Sequence, residues 1–351
     1  MAIDLEAARE FALKVWKYRE GEAVSLLIHL GDRLGLYAAL EDGVPRTAVE
    51  LADETGLDER WVREWLAGQA AADLVERDAE GNYRMGPEAR AVLVDEESLL
   101  FAAGGFSGGR PPELVDRIAG AFQTGIGLPY GEMDEAIAIQ IDRMNGAWLR
   151  DFLVNAVIPL LDGVTTKLEN GAKVADVGCG GGVAIEALAR RYPESSFEGI
   201  DSSGHAIRRA ESRLADLPNA TAVLSDGDGL AATGDYDLVM TLDMLHDAPR
   251  PGSIAAAVRQ ALAPDGAWLI KDIRCGPTFE SNLKNPVHAM MYGFSIETCL
   301  ISATSTPDGA GLGTLGLHPD RLESLVRDAG FTSFRTHDPR DPVNLYYEVR
   351  I

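Results

Sequence analysis

The chain has 351 residues, 46 % hydrophobic and 25 % charged, a balance typical of a globular protein long enough for two domains. Its formal charge of −23 repels phosphate backbones and anionic membranes, and no Lys/Arg run reverses that field locally, so a small molecule is the expected partner. No apolar run approaches the ~18 residues of a membrane span, and the opening MAIDLEAARE lacks a basic segment followed by an apolar one, so a cytoplasmic protein without a signal peptide is expected.

The N-terminal part reads as helices followed by a short hairpin. Leu30, Leu34, Leu36 and Leu40 recur near helical spacing. Thr47 and Glu50 form a capping box for a helix that Gly56 closes. Asp58 caps a second helix, predicted to bury Trp61, Val62, Trp65 and Leu66. LVERD and YRMGP flank the turn AEGN, giving two short strands and hence a winged helix-turn-helix over residues 1–95. Residues 96–165, Gly- and Pro-punctuated and then helical from about Glu132 to Leu161, read as a linker with cap helices.

From about residue 172 strands and helices alternate. KVADV, FEGI, TAVL, DLVMTL and GAWLIKDI are the strands; Ser202 or Ser203 caps the helix after the second, and Ser253 caps one that Pro264, Asp265 and Gly266 end. Pro319 starts a last helix, and FTSFRTH and NLYYEVRI close the chain as an antiparallel hairpin. The predicted fold of residues 166–351 is therefore α/β: a Rossmann-like, seven-stranded, mostly parallel sheet with a terminal hairpin, behind an all-α winged-helix head.

The turn Asp176-Val177-Gly178-Cys179-Gly180-Gly181-Gly182 leads from strand to helix, where glycines let backbone N–H groups approach a ligand. A dinucleotide fingerprint requires a further glycine where Val183 stands, and dinucleotide dehydrogenases do not usually end in such a hairpin, so a nicotinamide-dependent dehydrogenase is disfavoured. Asp201, nineteen residues after Gly182, ends the second strand where a carboxylate can accept from two ribose hydroxyls. Asp226 follows the third strand, and Ser202, Gly227, Leu242 and Asp243 complete the expected cofactor contacts at the strand ends. Strand four runs into Leu245-His246-Asp247, and a histidine can take up a proton near neutral pH; Asp247, Asp243 or Asp272 is available to orient it. Tyr130, Asn145, Asp272 and Tyr292 are the expected substrate contacts. Cys179, Cys275 and Cys299 form no CxxC pair and have no histidine at ligand spacing, so free thiols and no metal site are expected.

VADVGCGGG, the acids Asp201 and Asp226, LHDAPRP, NPVHAMMYGFS and GLGTLG together resemble an actinobacterial-type family of winged-helix-headed class I methyltransferases, many labelled transcriptional regulators. The resemblance covers about residue 20 to the end. It implies S-adenosyl-L-methionine as cofactor, its methionine end on the glycine loop and its adenine amino group on Asp226. It also implies methylation of a small molecule, with O-methylation expected and His246 and Asp247 as catalytic residues. One departure is Thr298, where the family pattern leads us to expect histidine. The rival reading is a DNA-binding regulator that senses the cofactor or a metabolite. Residues 1–95 carry 11 Lys and Arg against 20 Asp and Glu, a net −9, which argues for a dimerisation head and a homodimer rather than a DNA reader.

Overall fold

The computed structural model describes residues 3–351, which divide into two units: residues 3–111 with 139–147, and residues 112–138 with 148–351. In the first unit α1 (Leu5–Arg33) starts at Asp4, whose side chain accepts from the Glu6 and Ala7 amides. Every residue from 3 to 23 is exposed. The capping box of Thr47 and Glu50 opens α2 (Ala48–Thr55), which Gly56 ends at φ 69°. Asp58 caps α3 (Glu59–Ala71). The two-residue strands β1 (Glu76–Arg77) and β2 (Tyr83–Arg84) pair antiparallel as the wing, before α4 (Pro87–Leu93). Leu40, Leu51, Leu66 and Tyr37 form the core of this unit.

Trp61 departs from expectation. It is 78 % exposed, because the buried stripe of α3 runs through Val62, Trp65, Leu66 and Gln69, and Trp61 falls on its flank.

In the second unit α5 (Pro112–Thr124) precedes α6 (Glu135–Ala147), which straddles the division and continues as a π-helix over Trp148–Val157. After α7 (Val164–Glu169) come β3 (Lys173–Val177), α8 (Val183–Arg191), β4 (Ser196–Asp201), α9 (Gly204–Leu214), β5 (Ala220–Leu224), β6 (Tyr236–Leu242), α10 (Pro251–Ala261) and β7 (Leu262–Ile273). Three short helices, α11 (Phe279–Asn282), α12 (His288–Phe294) and α13 (Leu300–Ala303), follow; a π-helix, Ser295–Cys299, joins the last two. The chain ends with α14 (Pro319–Asp328), β8 (Ser333–His337) and β9 (Asn344–Arg350).

The sheet order is β5-β4-β3-β6-β7-β9-β8, parallel except at β9 and β8. Alternation along each strand sends residues to two cores. Val174, Leu238, Met240 and Leu269 pack with Ile185 and Leu188 of α8; Ala175, Val239 and Ile270 pack with α10 and α14. The order reverses between β3 and β6, so a crevice opens at the carboxyl ends of those strands.

Of the proposed caps, Ser203 binds the Ala206 amide at the start of α9. Ser253 caps nothing: α10 begins at Pro251, whose fixed φ and missing N–H suit the first position, and Ser253 lies inside the first turn. That helix ends at Ala261, ahead of Pro264.

Candidate active site

The glycine loop leaves β3 through residues that only glycine accommodates easily. Gly178 has φ 80°, and a Cβ there would lie 2.8 Å from Met244 Cγ; Gly182 has φ 76° and abuts Ala210. The Gly178 and Cys179 amides donate to the Ile200 carbonyl, locking the loop to the end of β4.

Two buried acids lie under this loop. Asp201 accepts from the Gly180 amide (2.9 Å) and the Ser203 amide (2.8 Å). A carboxylate offers about four acceptor positions, so acceptor capacity remains for a ligand. Burial raises its pKa, and the amide donors oppose the rise. Asp176 is 1 % exposed; its Oδ1 has no hydrogen-bond partner, and burial followed by repulsion from Asp201 pushes its pKa up to about 7. Asp226 is exposed, at the start of the short turn Gly227–Gly229, with Ser202 exposed across the crevice mouth.

The candidate reaction centre is built by a reversal after β6. Asp243 has φ 56°, a left-handed conformation that Asp tolerates better than most residues. Its amide still donates to the Lys271 carbonyl, and the chain then turns through Met244 and Leu245 to bury His246. The Asp243 carboxylate is bonded to Lys271 Nζ and accepts from Asn344 Nδ2 at 2.5 Å. Lys271 Nζ lies 4.0 Å from the centre of the Trp148 ring, which stacks on Tyr346 and donates to its hydroxyl (2.8 Å). Asp243 was expected at the cofactor; here each of its oxygens has one partner, Lys271 and Asn344.

His246 Nδ1 donates to Asp272 Oδ1 at 2.8 Å, since a carboxylate only accepts. Nε2 points to Asp247 Oδ1 at 3.2 Å. Burial favours the neutral ring, but the Asp272 and Asp247 charges outweigh it and hold the imidazole well above its ordinary pKa. Asp272 was expected to touch substrate. It is 1 % exposed, its Oδ1 also accepts from the Ile273 amide, and it orients the histidine.

Cys299, which the sequence does not single out, arrives from the π-helix beside His246 and Asp247. Thr314 Oγ1 donates to its sulfur at 2.8 Å. Gly313 permits the approach: a Cβ there would lie 2.4 Å from Ser295 Oγ. Thr298, the departing position, bonds back to the Phe294 carbonyl.

Segment 127–131 spans the cluster. Gly127 and Leu128 donate to the Thr304 and Ile301 carbonyls, and a Cβ on Gly131 would lie 2.9 Å from the Ser202 carbonyl oxygen. Tyr130 thereby senses the charges of Asp247 and Asp201, which, behind burial itself, raise its phenol pKa. Tyr292 stands 38 % exposed with its ring 6.2 Å from that of Phe279. Asn145 belongs to the other unit. All three cysteines are free and buried. No described helix is long and apolar enough to cross a membrane.

Comparison with known proteins agrees with this layout. Residues 22–95 match the Rv2258c-like winged HTH domain, and residues 174–266 match the Methyltransferase domain. Ubiquinone biosynthesis O-methyltransferase of Psychrobacter arcticus is 31 % identical over 188 residues, 50 % of this chain and 63 % of the relative. That of Thiobacillus denitrificans is 34 % identical over 163 residues, 46 % and 64 % respectively. The chain thus spans a little under two thirds of the length of these curated relatives. Among solved structures, human N-acetylserotonin methyltransferase in complex with SAM aligns with TM-score 0.69 and 15 % identity, over 97 % of both chains. A putative O-methyltransferase of Nostoc punctiforme aligns with TM-score 0.71 and 17 % identity, over 99 % of this chain and 100 % of that one. At those identities the likeness is one of fold. The chain is a class I methyltransferase-fold protein headed by a winged helix-turn-helix domain.

Proposed function

We propose that the protein is an S-adenosyl-L-methionine-dependent methyltransferase that methylates an oxygen of a small molecule. The observation that carries this reading is one crevice holding both a glycine loop over two buried acids and, at the end of β6, a buried histidine bracketed by carboxylates. The cradle fits the cofactor: Asp201 keeps acceptor capacity, Asp176 has an unpartnered oxygen, and the Gly178 backbone leaves no room for a side chain. Asp201 would hold the ribose, Asp226 the adenine amino group, and the loop Gly178, Gly180 and Gly182 the methionine end, with Ser202, Gly227 and Leu242 lining the crevice. When bound, the cofactor supplies a methyl group on a sulfonium centre.

The chain's own work is then alignment and proton removal. Asp272 fixes the proton on Nδ1, leaving Nε2 of His246 to accept the proton of an acceptor hydroxyl, with Asp247 stabilising the imidazolium that results. Tyr130 forms the wall beside that proton path, and Tyr292 is a further acceptor contact. Because the two acids raise the histidine, the base form grows in only above its ordinary pKa of ~6.5, and activity rises with pH there.

The winged head carries the regulator reading, but its net −9 charge opposes DNA binding. We assign the head to homodimerisation in the cytoplasm. Residues 3–23 are exposed throughout, with Phe11, Trp16 and Tyr18 among them, and a lone helix of that length is marginal in water. Calorimetric titration with S-adenosylhomocysteine tests the reading. Micromolar or tighter binding, weakened ten-fold or more by Asp201→Ala, is expected; no binding by the wild type overturns it.

A further inference from the structure

We infer that His246, Asp247 and Cys299 form a binding site for a borderline-soft divalent cation of the Zn²⁺ class. One ligand atom from each lies within 4.8 Å of the other two. The donor set is nitrogen, oxygen and sulfur, the mixture Zn²⁺ takes, and three protein ligands leave a fourth position open. The His246 Nε2 to Asp247 Oδ1 distance is 3.2 Å. Two ligands about 2.1 Å from one tetrahedral ion stand about 3.4 Å apart, so these atoms need almost no movement to share one.

The surroundings are those of a metal-ligating histidine. Such a histidine donates its other ring N–H to a carboxylate, which fixes the ring and leaves the second nitrogen for the metal. Asp272 occupies that place at 2.8 Å and is itself held by the Ile273 amide. The sulfur is held in place as well, since Thr314 Oγ1 donates to it at 2.8 Å.

Charge balance points the same way. Asp243, Asp247 and Asp272 lie close together; Lys271 bonds to Asp243, His246 faces Asp247 and Asp272, and Asp247 Oδ1 and Asp272 Oδ2 are buried without hydrogen-bond partners. Three carboxylates thus face two protein cations, and a divalent ion replacing the imidazole proton supplies the remaining charge. The Cys299 thiol proton, with any second proton on the imidazole, is released to solvent as the ion binds. Nε2 then holds the metal and cannot accept a proton, so loading switches off the chemistry proposed above. The site itself does not depend on that chemistry.

The test uses untagged full-length protein and the metals alone. Competition between Zn²⁺ and a chromophoric chelator is expected to give one ion per chain, and Co²⁺ to show a sulfur-to-metal charge-transfer band. Cys299→Ser should weaken Zn²⁺ at least ten-fold and abolish the band, while Cys275→Ser keeps both. Asp247→Asn, which leaves the sulfur in place, should also weaken binding at least ten-fold, and circular dichroism establishes that each variant is folded. Absence of the band in the wild type, or affinity unchanged in Cys299→Ser or in folded Asp247→Asn, overturns the inference. Because the readouts are stoichiometry and a spectrum, failure here leaves the methyltransferase reading standing, and the reverse.

Discussion

The sheet buries acids in two places and treats them oppositely. At β9, Glu348 is 3 % exposed, yet its oxygens meet Arg350, His337 and the Asp162 amide, and these partners overcome burial and hold its pKa down. At the carboxyl ends of β3 and β7, Asp176 and Asp272 are just as buried, but each keeps an oxygen with no partner. An acid that serves the fold alone is compensated within the fold. Unpartnered acids raise the free energy of the ligand-free protein, and a ligand-binding crevice is where that cost is recovered.

Substitutions sharpen this contrast, and the largest effect belongs to the histidine. His246→Ala should lower kcat by about 10²–10⁴-fold, with S-adenosylhomocysteine affinity within a factor of three of wild type; a kcat within ten-fold would remove the histidine from the proton path. Glu348→Gln should destabilise the protein by about 3 kcal/mol in urea unfolding, because it leaves Arg350 and His337 facing a neutral group. Asp176→Asn should act in the opposite sense. The folded-state pKa of Asp176, about 7, lies above its unfolded value of 3.8, so its stabilising contribution is complete below about pH 4 and lost as the pH rises through 7. The variant should therefore match wild type near pH 4 and exceed it by about 4 kcal/mol at pH 8 in the absence of ligand. A destabilised variant at pH 8 would mean that Asp176 is a structural acid like Glu348. The smallest effect is a shift of profile: Asp247→Asn removes a charge that raises His246, so the alkaline rise of the residual activity should move to lower pH.

The parts of the site visible in the sequence are those set by local backbone rules. The glycine spacing, Asp201 and Asp226 sit at strand ends, and the strands announce themselves by β-rich runs between turn residues. Thr47, Asp58 and Ser203 cap as their local sequence requires. What escaped depends on distant segments meeting. Cys299 follows His246 by more than fifty residues and enters on a π-helix whose register no periodicity reveals. Lys271 and Asn344 reach Asp243 from two separate strands, and Trp148 packs on Lys271 from a third element, a set of partners that no local spacing announces. Trp61 shows the same limit on one helix: a large apolar residue next to the buried stripe reads as part of it until the neighbours are known.

Segment 127–131 is sewn at one end to the Ile301 and Thr304 carbonyls and rests at the other on Ser202, so a single strip of chain touches both sides of the crevice. Two backbone hydrogen bonds and one glycine contact thus tie the wall beside Cys299 and the floor beside Asp201 to the same five residues, and a change at one end is felt at the other.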